Sequence, residues 1–79
     1  MYATLNRTFI KQLVLRSYEK AGDDKHCQED ITLETKRYND HTTYIYTNGD
    51  DYLFIRVFYS ARITISGYLN NHNVNEALF

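Results

Sequence analysis

Proline and tryptophan are absent from this chain, glycine occurs three times and cysteine once. So few glycines and no proline exclude a collagen-like repeat or a low-complexity tail. Cys27 is alone, so an intramolecular disulfide and a disulfide-built scaffold are excluded. No apolar run exceeds a handful of residues, against the ~20 that a membrane-spanning helix needs. Basic excess is also lacking: nine Lys and Arg stand against ten Asp and Glu, for a net charge of −1. Sequence-nonspecific binding to nucleic acid through phosphate contacts is disfavoured on that count. Residues Met1 to Arg7 carry neither an apolar signal region nor a small-residue cleavage site. A reducing cytoplasm is the expected setting, that of the host cell if the chain is phage-encoded, and no membrane association is expected.

What is present fits one folded unit. The chain has 79 residues, 43% apolar and 24% charged, near the norm for a globular domain. A single domain over 1–79 is expected. A chain of this size is stable by only ~4–12 kcal/mol on the per-residue rule, which leaves little for strained catalytic geometry. Eight Tyr and four Phe are its most distinctive content. Many Tyr, Asn and Ile beside few Ala, Gly and Pro fit an AT-rich coding sequence, of the kind many phages carry.

The hydrophobic period changes once along the chain. Residues 4–21 read as an amphipathic helix, with Tyr2, Leu5, Phe9, Ile10, Leu13, Val14, Tyr18 and Ala21 in one arc and Thr8, Gln12, Leu15 and Glu19 opposite. Thr4 or Asn6 suits the N-cap and Gly22 the left-handed C-terminal position. Arg7 with Lys11, and Arg16 with Lys20, flank the arc as basic pairs. Residues 22–30 read as a loop. Beyond them alternation predicts strands over 31–38, 42–47, 52–59 and 61–68, with turns at Asn39-Asp40-His41 and Asn48-Gly49-Asp50. No glycine, proline or asparagine separates the last two strands. An odd loop at 59–61, centred on Ser60, sets Val57 opposite Ile63 and Ile55 opposite Ile65 and so keeps the apolar faces matched. Asn73-Val74-Asn75-Glu76 resembles a capping box and predicts a short C-terminal helical turn, with Leu78 and Phe79 seeking the core. The expected fold class is α+β: one N-terminal helix packed on a four-stranded antiparallel meander.

Parity sorts the strand residues into two faces. Ile31, Leu33, Ile45, Leu53, Ile55, Val57, Ile63 and Ile65 form the expected floor for the helix. The other face gathers Tyr38, Tyr44, Tyr46, Tyr52, Phe54, Phe58 and Tyr68, with Arg56, Arg62, Thr64 and Ser66 among them. Cross-strand aromatic pairing accounts for some of this. Tyr and Arg are also enriched at interface hot spots, and a large exposed aromatic patch marks an interaction surface. The candidate protein-binding residues are therefore Tyr44, Tyr46, Tyr52, Phe54, Arg56, Phe58, Arg62 and Tyr68. Charge adds a second candidate. Residues 1–22 carry +3, residues 23–51 carry −5 and residues 52–79 carry +1. Asp23, Asp24, Glu29, Asp30, Asp50 and Asp51 form an acidic patch in this reading, suited to a basic nucleic-acid-binding protein.

Catalytic signatures are missing: no Gly-x-Ser-x-Gly, no P-loop, no Gly-x-Gly-x-x-Gly, no His-Glu-x-x-His. His26, Cys27, Asp30 and His41 lack the paired spacing of a zinc site, and no metal or cofactor is expected. The leading expectation is a small non-enzymatic protein-binding module, of the kind a phage or mobile element uses to inhibit a host defence enzyme, as anti-CRISPR proteins do. A homodimer through the aromatic sheet face fits the same surface. An RNA- or single-strand-binding module built on sheet aromatics and Arg is the alternative, and a toxin–antitoxin component a further one.

Overall fold

The computed structural model describes residues 7–22 and 31–78, except for the Arg7 side chain. A helix, α1 (Arg7–Lys20), is followed by β1 (Leu33–Arg37), β2 (His41–Asn48), β3 (Asp51–Phe58), β4 (Ile63–Leu69) and β5 (His72–Leu78). Each strand pairs antiparallel with its chain neighbours, in the order β1-β2-β3-β4-β5. The α+β class and the meander follow the sequence pattern. The strand count and the C-terminus do not, as described below.

α1 buries Ile10, Leu13, Val14, Ser17 and Tyr18, with Ala21 just past its end. Their spacing of three and four residues makes one stripe along the helix. Phe9, expected within that stripe, is exposed, and Leu15, expected opposite, is half-buried against the core. Gly22 has φ +82° and its N–H donates to Glu19 O at 3.0 Å, the left-handed close expected of a glycine there. The proposed N-caps Thr4 and Asn6 lie outside the described residues, as do Tyr2 and Leu5.

Four hairpins set the sheet register. Tyr38 N–H donates to His41 O at 2.8 Å, closing a two-residue loop at Asn39-Asp40. Asn48 pairs with Asp51 around Gly49 and Asp50. Phe58 N–H donates to Arg62 O at 2.8 Å and Ala61 N–H to Phe58 O at 2.9 Å, which leaves Tyr59, Ser60 and Ala61 as the loop. This is the odd loop anticipated at 59–61, and Val57 does pair with Ile63 and Ile55 with Ile65. The closing loop residue, Ala61, sits at φ +77°, where a glycine is usual. Finally Leu69 pairs with His72 around Asn70 and Asn71, both with positive φ. Asparagine tolerates that conformation better than most residues, so the pair makes a tight two-residue turn.

That last hairpin replaces the expected C-terminal helical turn with a fifth strand. A helix of so few residues is marginal, whereas a strand satisfies the second edge of β4. Val74 and Leu78 still pack against the core from their strand positions, and Phe79 lies outside the described residues.

The helix-side floor consists of Leu33 on β1, Thr42, Tyr44 and Tyr46 on β2, Leu53, Ile55 and Val57 on β3, and Ile63, Ile65 and Leu69 on β4. Here β2 departs from the expected phase. Tyr44 and Tyr46 are 5% and 3% exposed, while Ile45 faces the other side and is half-buried. The physical reason is the loop before β3. A two-residue loop pairs Tyr46 with Leu53 and Tyr44 with Ile55, so even residues of β2 share a face with odd residues of β3. The expected three-residue turn at Asn48-Gly49-Asp50 would have kept the parity. Ile10, Val14, Leu53, Ile55, Ile65 and Leu69 have no exposed surface at all; burial of each stabilises the fold by ~1.5–3 kcal/mol.

Polar ties clamp the helix to the sheet. Tyr18 donates its hydroxyl to Asp51 Oδ2 at 2.6 Å and lies 2.8 Å from the Tyr46 hydroxyl. Asp51 Oδ1 accepts from Asn70 N–H at 3.1 Å, and the Asn70 side chain donates to Ala21 O at 3.2 Å. At the other flank Glu76 on β5 takes a two-pronged bond from Arg16, at 3.1 and 2.8 Å, and a third from Lys20 at 2.9 Å. The Ser17 hydroxyl, buried at the centre of the helix stripe, has no hydrogen-bond partner among the described residues.

Candidate protein-binding face

The face turned away from α1 is built by alternation. β3 contributes Tyr52, Phe54, Arg56 and Phe58. Opposite them on β4 stand Tyr68, Ser66 and Thr64, and on β2 Thr47, Ile45, Thr43 and His41. Residues directly opposite in an antiparallel pair share a face, so Phe54 lies between Ile45 and Ser66, and Arg56 between Thr43 and Thr64. Of the expected interface residues, the structure brings Tyr52, Phe54, Arg56, Phe58, Arg62 and Tyr68 to this side. Tyr44 and Tyr46 are removed from it, because the phase of β2 places them beneath the helix.

Geometry within the face is specific. The Tyr52 and Phe54 rings are tilted at 58° with centroids 5.7 Å apart. The Arg56 guanidinium lies 5.8 Å from the Phe54 centroid and donates to Ser66 Oγ at 3.3 Å. A cation over an aromatic face is attracted by the ring quadrupole, and the bond to Ser66 fixes the side chain across β3 and β4. Tyr52 remains 41% exposed, with Phe54, Arg56, Phe58 and Tyr68 half-buried. A shallow depression of about 430 Å³ runs from this centre to β5, lined by Tyr52, Phe54, Ser66, Gly67, Asn73, Val74 and Asn75.

A second aromatic group sits at the opposite end of the same side. The His41 ring lies between Tyr38 and Phe58, each with its centroid 4.8 Å away. His41 Nδ1 is 2.7 Å from the Asp40 carboxylate, whose pKa is held below the ordinary aspartate range chiefly by that hydrogen bond. The sequence pattern gives His41 to a turn and to a metal-competent group without zinc spacing, and not to this face. Its alternation with Thr43 and Ile45 carries the signal once the two-residue loop at Asn39-Asp40 is recognised.

No family model, no curated protein and no solved structure matches the chain.

The acidic patch is only partly placed. Asp23, Asp24, Glu29 and Asp30 lie outside the described residues, with His26 and Cys27. Asp50 is exposed in the β2–β3 loop. Asp51 is engaged by Tyr18 and Asn70, so its carboxylate serves the fold. The basic pair Arg16 and Lys20, which flanks the apolar arc, is turned onto Glu76. Among the described residues no group of His, Cys, Asp and Glu is placed to hold a metal ion.

Proposed function

We propose that the chain is a small non-enzymatic protein-binding module whose working surface is the sheet face opposite the helix. The observation that carries this reading is the Tyr52–Phe54–Arg56 centre: two aromatics and an arginine, pre-ordered on the middle strand of the sheet and open to solvent. Aromatics bury much area for little loss of side-chain freedom, and Arg56, held by Ser66 at 3.3 Å, is ordered before a partner arrives. Polar side chains rim that centre, namely Thr64, Ser66, Asn73 and Asn75, in the arrangement typical of protein interfaces. The acidic balance of residues 23–51 favours a basic partner such as a nucleic-acid-binding protein. Inhibition of a host defence enzyme by a phage or mobile element is the biological setting that the size and composition favour.

Affinity purification from the native host, with and without nuclease treatment, tests this reading. A protein partner retained after nuclease, and lost with Phe54→Ala or Arg56→Glu, is the expected result. Those substitutions should weaken the complex by ~2 kcal/mol or more while leaving the melting curve in place. Capture that depends on nucleic acid, with salt-sensitive oligonucleotide binding lost on Arg56→Ala and Arg62→Ala, would favour the single-strand-binding reading instead.

A further inference from the structure

β5 ends the sheet, and among the described residues no strand pairs with its outer edge. The hairpin before it fixes which backbone groups face outward. The two-residue loop at Asn70-Asn71 makes Leu69 and His72 the closing, hydrogen-bonded pair. Alternation along the ladder then commits the N–H and C=O groups of Val74, Glu76 and Leu78 to Gly67, Ile65 and Ile63. The β3–β4 ladder agrees. Phe58 bonds Arg62, so the even residues of β4 bond β3 and its odd residues are left for β5. The N–H and C=O groups of Asn73, Asn75 and Ala77 therefore lie on the free edge, disposed symmetrically about Asn75.

We infer that β5 pairs antiparallel with β5 of a second copy of this chain, about a two-fold axis through Asn75. In that register Asn75 opposes its own symmetry mate and Asn73 opposes Ala77 of the other copy, so every outward group of these residues finds a partner. An axis at Asn73, Val74, Glu76 or Ala77 would strand part of the set, and one midway between two residues would set outward groups against inward ones. Free edges are commonly guarded by charge, proline or a bulge. β5 has no proline, and its register with β4 is unbroken. Its one charged residue, Glu76, faces the helix side, where Arg16 and Lys20 neutralise it.

Charge complements across the axis. Val74 opposes Glu76 of the other copy on the helix side. Val74 lines a cleft of about 250 Å³ between α1 and β5, together with Ser17, Lys20 and His72. Each copy thus sets its Glu76, bonded to its own Arg16 and Lys20, beside the other's Val74 at the rim of the cleft that Lys20 lines, so the two basic flanks share two carboxylates. An axis perpendicular to the sheet keeps both helices on one side and both aromatic faces on the other. This consequence rests on the protein-binding reading above: the dimer presents two copies of the Tyr52–Phe54–Arg56 centre on one continuous surface, suited to a two-fold or repeating partner.

Sedimentation equilibrium of the full chain over a wide concentration range should show a reversible dimer. Asn75→Pro removes an N–H that β4 does not use, so the fold should survive while the dimer is lost. In a Cys27→Ser background, Asn75→Cys should oxidise to a disulfide-linked dimer, since a hydrogen-bonded pair sets its Cα atoms about 5.5 Å apart, within disulfide range. That cross-link decides the matter if the proline variant unfolds. A monomer at every concentration overturns the inference, as does a dimer in which Asn75→Cys fails to cross-link. A monomeric chain that still loses its partner on Phe54→Ala overturns the dimer and keeps the binding face. A β5 dimer whose partner binding ignores Phe54→Ala does the reverse.

Discussion

Tyr18 and Asp51 meet at 2.6 Å, joining the last turn of α1 to the first residue of β3. A phenol has one proton, so with Tyr18 donating to Asp51 the Tyr46 hydroxyl donates to Tyr18, at 2.8 Å. Burial, with the Asp51 bond next, pushes the Tyr18 phenol far above its ordinary range, so it stays protonated across the usable pH range. Tyr18→Phe would leave the Tyr46 proton and a carboxylate oxygen without their partner. The expected loss is ~1–3 kcal/mol, read from denaturant unfolding, with a smaller loss for Tyr46→Phe, which removes only the end of the chain.

Glu76 predicts an acid dependence. Its bonds to Lys20 first and Arg16 second hold its pKa below the usual glutamate range. A depressed folded-state pKa contributes stability above the unfolded value of ~4.3, and that contribution is lost as pH falls through the folded value. The Arg16 and Lys20 side chains are 40% and 58% exposed, so solvent screens the pair and the contribution stays below ~1 kcal/mol. Thermal melts of wild type and Glu76→Gln should differ at pH 7 and converge in acid, as pH falls through the depressed folded-state value. Equal melting curves at both pH values would remove the clamp from the account.

Gly67 is fixed by contact. A Cβ added there would meet the Tyr52 carbonyl oxygen and stand 2.8 Å from the Leu53 Cα, both backbone of the paired strand. Backbone in the middle of a ladder cannot move aside cheaply. Gly67→Ala should destabilise by ~1–3 kcal/mol or more, as overpacking does, and shift the melting midpoint accordingly. Ala61 is the opposite case: at φ +77° its Cβ is strained, and Ala61→Gly should raise stability by ~0.5–1 kcal/mol.

The phase of β2 can be tested by adjacent substitutions. Tyr44→Ala should cost ~3–5 kcal/mol, as truncation of a buried aromatic does, and Ile45→Ala distinctly less. The expectation that Ile45 is core and Tyr44 surface predicts the reverse order.

The sequence made the helix, the first four strands and the β3–β4 register legible, because Leu53, Ile55, Val57, Ile63 and Ile65 admit only one face-matched loop. β2 was ambiguous because Tyr44, Ile45 and Tyr46 are all good strand residues, and side-chain period alone cannot choose between two apolar phases. Loop length chooses, and Asn48-Gly49-Asp50 accommodates two lengths. β5 was missed because Asn73 to Glu76 resembles a helix start, although Asn70-Asn71 supplies a tight hairpin signal. Of the candidate face, the β3 and β4 residues were legible by parity. His41 was not, since its position depends on the first hairpin.

The meander order has a consequence for the rate at which the chain reaches its fold. Every strand pairs with a sequence neighbour, so the sheet closes only short loops and can zip up hairpin by hairpin. The Arg16–Glu76 clamp, by contrast, joins residues 60 positions apart. Contacts of that kind form after the transition state when local pairing leads, which gives Glu76 a φ-value near zero. Glu76 is then expected to act as a latch on the unfolding side: in stopped-flow kinetics Glu76→Gln should speed unfolding and leave the folding rate unchanged.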